Sequence, residues 1–451
     1  MATTTLVPLS EAVANNRFSA EFFDPQYVFQ PKKPSDWLPI GRILRKCEYG
    51  ISAAMNTNGA GYPMFRMNEI ENCFVQRAEK HANIPASLFE RYRLRANDVL
   101  FNRTNSFDFV GRTGIVIDQT DSTFASYLIR LIPDSSLITP EFLTVYLNTP
   151  FGVGQVKRRA MRSINQANVS GSEIRRVLIP LIPMKIQEEV SDTIQTAHAQ
   201  LRKGESLGAE AQQLLESELG LDKLDFYKPV GYTARFSELE LSHRTDAQHY
   251  QPRFAQLLKH LAKFPTTRIR DVRRQNRRGI QPIYVENGSH AVVNSQHLGP
   301  KHIDYDGLQR TSEQAFNAAP EAHIQPGDLL IYTTGAYIGR TNVYLDDAPA
   351  FASNHVNILR LEPDIDHAYM AMVFQSIIGQ FQTEKHARGS AQAELYPADI
   401  DKFVVPLLDI GQQVKIGNLV RKSLKKQRES AQLLEQAKDR VEQLIEEAIE
   451  Q

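Results

Sequence analysis

The sequence predicts an α+β protein built twice over: two duplicated globular α/β domains, each followed by a long helix, the two helices pairing antiparallel as a coiled coil about a pseudo-two-fold axis. Three observations carry this expectation. A short stretch near the N-terminus is echoed far downstream, the echo continues along most of the chain, and each copy ends in a heptad-patterned run.

The echo begins with RFSAEFFDPQY at residues 17–27 and RTDAQHYQPRF from residue 244. Pairing Arg17 with Arg244, Ala20 with Ala247, Phe23 with Tyr250, Pro25 with Pro252 and Tyr27 with Phe254 uses one shift, 244 − 17 = 227. Neither stretch has a clean helix or strand period, so both are read as lead-in segments whose aromatics anchor on the domain core or on a partner's coil.

Farther along, NDVLFNRTNSFDFVGRTGIVI (97–117) meets GDLLIYTTGAYIGRTNVYL (327–345), with Asp98 matching Asp328 and Gly111-Arg112-Thr113 matching Gly339-Arg340-Thr341. The shift falls from 230 to 228, as a two-residue difference in the intervening loop produces. Gly111 and Gly339 read as turn glycines. FASYLIRLIP (124–133) and FASNHVNILRLEP (351–363) each read as a strand closed by proline. Thr139 and Pro140 then signal a helix start, with Phe142, Leu143, Tyr146 and Leu147 on one face; Tyr369, Met370, Val373 and Phe374 repeat that face. A shift of 226 aligns Gln166 with Gln392, Ile174 with Ile400, Pro180 with Pro406 and Gln187 with Gln413.

The terminal helix of the first copy carries Val190, Ile194, Ala197, Leu201, Gly204, Gly208, Ala211 and Leu215 at alternating four-three spacing. The second carries Ile416, Val420, Ser423, Gln427, Ser430, Leu434, Ala437 and Val441, then Leu444 and Ala448. Gly204 and Gly208 each cost about 1 kcal/mol relative to alanine in a helix. Their expected compensation is close helix approach, since a seam without side chains lets a partner's backbone or a bulky residue such as Leu434 come near. Tails of about 35 residues span about 50 Å, long for covering one domain, which favours pairing over two helices each lying on its own domain. The boundaries that follow are 1–183 for the first domain with its lead-in, 184–221 for the first long helix, 222–243 for a linker, 244–409 for the second domain and 410–451 for the second long helix.

Composition is that of a soluble globular chain: 451 residues, 42% hydrophobic and 23% charged, room for two to four domains. Lys+Arg and Asp+Glu balance at 52 each, which in bulk argues against a nucleic-acid binder. Locally the charge is uneven. TTRIRDVRRQNRRG (266–279) has six arginines against one aspartate, and VKRRAMRS (156–163) has four positive charges and no acid. Two cysteines, Cys47 and Cys73, imply a reducing compartment, and no Cys/His spacing suits zinc. With no signal peptide and no run of about 18 apolar residues, the chain is read as cytoplasmic with no membrane partner.

Catalytic signatures are absent. There is no phosphate loop; GVG at 152–154 lacks the third glycine of a dinucleotide fingerprint; H-E-x-x-H does not occur. Nor does an Asn-Pro-Pro-aromatic or Asp-Pro-Pro-aromatic tetrapeptide of an amino-methyltransferase.

This combination resembles the specificity subunit of Type I restriction-modification systems. GDLLIYTTGAYIGRTNVYL, GSAQAEL (389–395), IPLIPMKIQEEV (179–190) with its counterpart VPLLDIGQQVKI (405–416), and the terminal coiled-coil helices carry the resemblance, in two copies over nearly the whole chain. LLDIGQQ departs from the pattern, where the family often has a second proline and a glutamate-glutamine pair. The resemblance implies a non-catalytic chain in which each domain is a target recognition domain for half of a bipartite, asymmetric DNA site. It implies that the helices set the spacing and dock two copies of a DNA methyltransferase subunit, which a restriction or translocase subunit can join. No cofactor is expected on this chain; S-adenosylmethionine, and ATP and Mg, are expected on the partners. Two other readings stay open: a two-domain DNA-binding adaptor of another defence complex, and a protein-interaction scaffold that does not bind DNA.

Under the first reading, base contacts belong where the copies share a scaffold but differ in side chains. Arg103 and Asn105 in one loop, against Tyr332, Thr334 and Tyr337 in the other, meet that condition, an ordinary polar hairpin being the alternative. Arg112 and Arg340 match and so suit phosphate contact or structural pairing. Gln166 and Gln392 also match, as DNA contacts or caps. The clusters Lys157-Arg158-Arg159-Arg162 and Arg273-Arg274-Arg277-Arg278 are the phosphate-binding candidates.

Overall fold

The structure, a computed structural model, describes residues 6–15, 17–28, 34–226, 228–305, 307–389 and 392–450. It divides into two compact units, Met1–Arg202 with Gln427–Gln451, and Lys203–Lys426. The first unit is therefore not a contiguous segment, and neither long helix belongs wholly to one unit.

The first unit contains β1 (Trp37–Pro39), β2 (Leu44–Tyr49), β3 (Val99–Asn102), β4 (Thr104–Asn105), β5 (Thr113–Ile115), β6 (Leu128–Pro133), β7 (Met161–Ser163), β8 (Gln166–Asn168) and β9 (Leu178–Pro180). Its main sheet has the order β2-β6-β3-β5, extended by Phe74–Val75 and Ile70–Glu71. Every residue of β3 is buried, as a central strand covered on both faces requires. Helices α1 (Pro140–Asn148) and α2 (Pro150–Arg159) follow. The Thr139 hydroxyl caps α1 by accepting from the Phe142 amide at 3.2 Å, as the sequence predicts. A Cβ on Gly152 would collide with the Tyr146 carbonyl oxygen, so the abrupt turn from α1 to α2 needs glycine there.

In the second unit the same plan recurs as β10 (Thr266–Arg268), β11 (Arg273–Arg278), β12 (Leu329–Tyr332), β13 (Thr341–Val343), β14 (Val356–Leu361) and β15 (Val404–Pro406). The sheet order is β11-β14-β12-β13, and β10 pairs with β15 as β1 pairs with β9. Helices α4 (His367–Gln375) and α5 (Ile377–His386) match α1 and α2, with Gly379 against the Phe374 carbonyl in the place of Gly152. The duplication read from sequence is thus a duplication of topology.

One strand assignment needs correcting. FASYLIRLIP is not one strand: Thr123–Phe124 pairs in parallel with residues of Tyr62–Phe65 in a second sheet, and β6 starts only at Leu128. In the other copy Ala350–Ala352 and β14 are likewise separate. Continuous apolarity hides the break because both pieces are buried. The expected linker also contains a short helix, Phe236–Ser242.

The long helices are α3 (Met184–Glu218) and α6 (Ile410–Glu450). In the first unit Val190, Ile194 and Ala197 share one buried cluster with Leu434, Ala437, Val441, Leu444 and Ile445. In the second, Ala211 and Leu215 share one with Ile416 and Val420. The start of α3 meets the end of α6 and the end of α3 meets its start, so the helices run antiparallel. Along the α3 seam Gly204 and Gly208 are buried and Leu201 is half-buried. The close approach expected at the glycines is made by Ser423 and not by Leu434, because the antiparallel register brings Ser423 there. The Ser423 hydroxyl donates to the Gly204 carbonyl at 2.7 Å, and a Cβ on Gly208 would lie 3.1 Å from it.

Each long helix is also tied to its unit by a buried glutamine. Gln187 accepts from the Thr139 amide at 2.9 Å and donates to the Ile182 carbonyl at 2.8 Å. Gln413 accepts from the Asp366 amide at 3.1 Å and donates to the Leu408 carbonyl at 2.8 Å.

Because Ser423 sits close against Gly208, Gly208→Leu is expected to destabilise the protein by about 1–3 kcal/mol through overpacking. Urea unfolding checks this, and an unchanged midpoint contradicts the close approach.

Candidate nucleic-acid interface

In the first unit the loop after β3 and the hairpin after α2 meet in a small sheet of order β7-β8-β4. The register is Met161 opposite Asn168, Arg162 opposite Ala167, Ser163 opposite Gln166, and Ala167 opposite Asn105. Arg103 is not free to reach outward: its guanidinium donates to Asn168 Oδ1 at 2.9 Å and to the Ser126 carbonyl at 3.3 Å, and lies 4.9 Å from the Tyr49 ring. Half-buried Asn105 accepts from the Ser106 amide at 2.8 Å. Gln166 and Arg162 are exposed. Arg162 stacks on Phe107 at 3.6 Å, and Lys157 lies over the same ring at 5.0 Å.

In the second unit the corresponding loop follows β12, where Thr334 bridges to Glu394 and Glu394 to Arg388. Ser390 and Ala391 of the GSAQAEL motif lie outside the described residues. Gln392 is exposed, Thr334 is buried, and the Tyr332 and Tyr337 rings meet edge-on at 6.4 Å. The matched arginines behave alike. Arg112 lies 4.1 Å from the Phe109 ring and Arg340 lies 3.8 Å from the Tyr337 ring. Both rings are largely exposed, at 45% and 54%. Gly111 and Gly339, with φ of 93° and 85°, turn these loops in a region that favours glycine. The two-residue insertion in the first loop includes Phe107. In the second unit this surface is concave, a cleft of about 1050 Å³ lined by Arg244, Arg340, Arg388, Gln375, Gln380 and Thr383 among others.

The arginine clusters split once their partners are seen. Arg158 donates to the Phe22 carbonyl at 2.6 Å, pairs with Glu11 at 3.5 Å and covers the Phe22 ring at 4.1 Å. Arg159 pairs with Glu173 at 3.4 Å. Burial holds both guanidiniums below the usual arginine range. They clamp the lead-in segment, whose buried Phe22 and Phe23 form a small cluster with Ala12. Arg273 is bound by both oxygens of Asp401, the second at 2.9 Å, and this hydrogen bonding raises its pKa. Arg278 donates to the Leu395 carbonyl at 3.1 Å and covers Tyr396 at 4.8 Å. Arg274, at the bulge of β11, and Arg277, half exposed and 3.9 Å from Glu321, remain outward.

Sequence comparison missed the partners of several matched residues. Asp98 and Asp328, both buried, each hold an arginine, Arg130 at 3.1 Å and Arg360 at 2.7 Å. It also missed the second clamp. Lys385, at the place of Arg158, donates to the His249 carbonyl at 3.2 Å, and His249 Nδ1 lies 2.7 Å from the Lys385 carbonyl. Beside it His386 is driven down to about 3, first by burial and then by the Lys385 charge. Among the described residues no group of three or more His, Cys, Asp or Glu could hold a metal ion, and no helix is long and apolar enough to cross a membrane.

Two outcomes follow from the clamps. Arg158→Ala should expose the lead-in to protease and destabilise the protein by about 1–3 kcal/mol, since the Phe22 carbonyl loses a charged donor; unchanged cleavage at residues 17–28 contradicts the clamp. His386 folds neutral with a depressed pKa, so its contribution is complete above the unfolded value near 6.5 and is lost as pH falls from there towards 3. Between about pH 6.5 and 5, before most carboxylates titrate, stability should fall by up to about 1.4 kcal/mol per pH unit more in the wild type than in His386→Asn. Parallel urea midpoints across that window contradict it.

No family model matches the chain. It is 26% identical over 164 residues to the putative type I restriction enzyme MjaX specificity subunit of Methanocaldococcus jannaschii, covering 35% of this chain and 38% of the relative. It is 25% identical over 172 residues to the type I restriction enzyme EcoKI specificity subunit of Escherichia coli K12, covering 37% of this chain and 36% of the relative. The matches thus span little more than a third of either relative. Among solved structures, the S subunit of a Type I restriction-modification system from M. genitalium aligns over 92% of this chain and 99% of its own, with 13% identity and a TM-score of 0.44. The resemblance carried by the repeated motifs therefore holds: this chain is similar to the specificity subunits of type I restriction enzymes.

Proposed function

We propose that the chain is the DNA-reading subunit of a Type I restriction-modification complex and that each unit reads one part of a two-part, asymmetric site. The observation that supports this most is the pairing of a shared scaffold with unlike loops. Both units have the same strand order and the same arginine-on-aromatic loop, yet around the matched pairs Arg162/Arg388 and Gln166/Gln392 the neighbouring segments differ, with Met161, Ser163 and Asn168 in one unit at the sequence positions of Ala387, Gly389 and Glu394 in the other. Two recognition events on different sequences need that combination, whereas a scaffold for one protein partner repeated twice would keep the side chains.

On this reading the chain does no chemistry. A DNA methyltransferase subunit, in two copies, would bind S-adenosylmethionine and modify adenine, and a restriction or translocase subunit using ATP and Mg would join it. Exposed Arg112, Arg162, Arg274 and Arg277 and half-buried Lys157 are the phosphate candidates that remain, and Arg340 keeps a half-buried place beside the cleft. Arg103, Arg158, Arg159, Arg273 and Arg278 are assigned to support of the reading surface instead, because their guanidiniums are engaged within their own units.

Co-expression with a methyltransferase encoded beside this chain, followed by mapping of methylated adenines, tests the assignment. A two-part motif with a fixed gap supports it, and methylation independent of this chain rejects it. Replacing Arg274 and Arg277 by serine should weaken binding to all sequences alike and lower the salt slope by about one per side chain. Arg273→Ser and Arg278→Ser should act on stability first. Equal salt slopes in wild type and the Arg274/Arg277 variant would remove these two from phosphate contact.

A further inference from the structure

The hairpin of β7 and β8 breaks the local rules that the rest of the fold obeys. Residues 161–166 are all exposed, so neither face of the ribbon's outer half is packed. A two-stranded ribbon without a covered face is at best marginally stable alone. Its two-residue turn is Ile164-Asn165, and neither residue takes the left-handed backbone that favoured hairpin turns use. A β-branched apolar residue is a poor choice for a turn tip, yet Ile164 is 99% exposed and Met161 is 66% exposed. Local departures of this kind without structural compensation mark functional positions.

The hairpin's two faces are distinguishable. Arg162 turns towards Phe107 and lies opposite buried Ala167, which makes that the inner face. Met161, Ser163 and Gln166 share the other face by strand alternation and cross-strand register. At its base Lys157 and Arg162 share the Phe107 ring, with Asp108 as the one acid of the 103–112 loop. A protruding ribbon, basic at its base, with a glutamine on its outer face and an apolar tip, matches the width and chemistry of the DNA major groove. There glutamine pairs with adenine N6 and N7, and an apolar side chain meets the thymine methyl group.

Resting on the functional reading above, we propose that this hairpin is the groove-entering element of the first unit, with Gln166 reading an adenine and Ile164 reading the methyl group of a nearby thymine. The second unit's counterpart keeps the matched Arg388 and Gln392 but has Ser390 at the sequence position of Ile164, so the two parts of the site can share an adenine contact and differ at the thymine.

The test uses the full complex and the site defined by methylation mapping. Duplexes are made in which each thymine of the part read by the first unit is replaced in turn by deoxyuridine, which differs only by the missing methyl. Wild-type binding should fall about four-fold at one position, the effect of one buried methyl. Ile164→Ala should lose about as much on the natural duplex and no longer distinguish thymine from deoxyuridine there. Gln166→Ala should lose about ten-fold or more and accept other bases at one adenine.

Absence of any deoxyuridine effect in the wild type, or an Ile164→Ala variant that keeps the effect, overturns the proposal. So does an Ile164→Ala variant whose DNA discrimination is intact but whose methyltransferase dissociates more readily, since the tip would then dock protein. Failure of the wild-type complex to select any sequence would instead overturn the functional reading itself, a result separable from the others because it precedes any substitution.

Discussion

The structure depends on one constraint: each unit closes its core with part of both long helices, and the first unit takes its share of α6 from the far end of the sequence. Phe142 and Tyr146 of α1 lie in a buried cluster that also holds Val190 and Ile194 from the start of α3 and Val441 and Ile445 from the end of α6. Tyr369 and Phe374 lie in one with Leu215 from the end of α3 and Ile416 from the start of α6. A helix pair used this way is more than a tether, since removing either strand of it leaves buried leucine, isoleucine and valine side chains uncovered, at roughly 1.5–3 kcal/mol each. The small residues at Gly204, Gly208 and Ser423 let the pair come close where large side chains would force it apart.

A second theme is substitution at constant geometry. The clamp on the lead-in is Arg158 on Phe22 in one unit and Lys385 on His249 in the other, two cations reaching the carbonyl of an aromatic residue at matching positions. The tie between the helix after the sheet and the last strand is a glutamine both times: Gln155 exchanges two hydrogen bonds with Leu178, and Gln382 exchanges two with Val404. With scaffold contacts conserved by type and position, the loops that carry them are free to differ. That is the physical basis on which the proposed two-part reading rests.

Much of the fold was legible because it is written in periods. The four-three spacing of Val190 through Leu215 and the nearly constant offset between copies survive without any knowledge of contacts, and both describe the folded chain. The duplicated glutamines Gln187 and Gln413 were visible as a match, but their task of holding the first turn of α1 and α4 was not. The candidate site was less legible. A run such as Lys157-Arg158-Arg159 looks uniformly basic, yet a helix turns successive residues about 100° apart, sending Arg158 inward onto Phe22 while Lys157 stays over Phe107. Similarly, strand alternation and a bulge separate Arg273 and Arg278 from Arg274 and Arg277. The exposed tip at Ile164 left no signal, because an isolated isoleucine in sequence reads as core.

The central claim is that the last part of α6, from Gln427 onward, completes the first unit's core, far away in sequence. Amide hydrogen exchange on a chain ending at residue 426 tests it most directly. The account predicts that β3 and β6, at Val99–Asn102 and Leu128–Pro133, lose protection while β12 and β14, at Leu329–Tyr332 and Val356–Leu361, keep theirs. Protection retained in all four strands would contradict it.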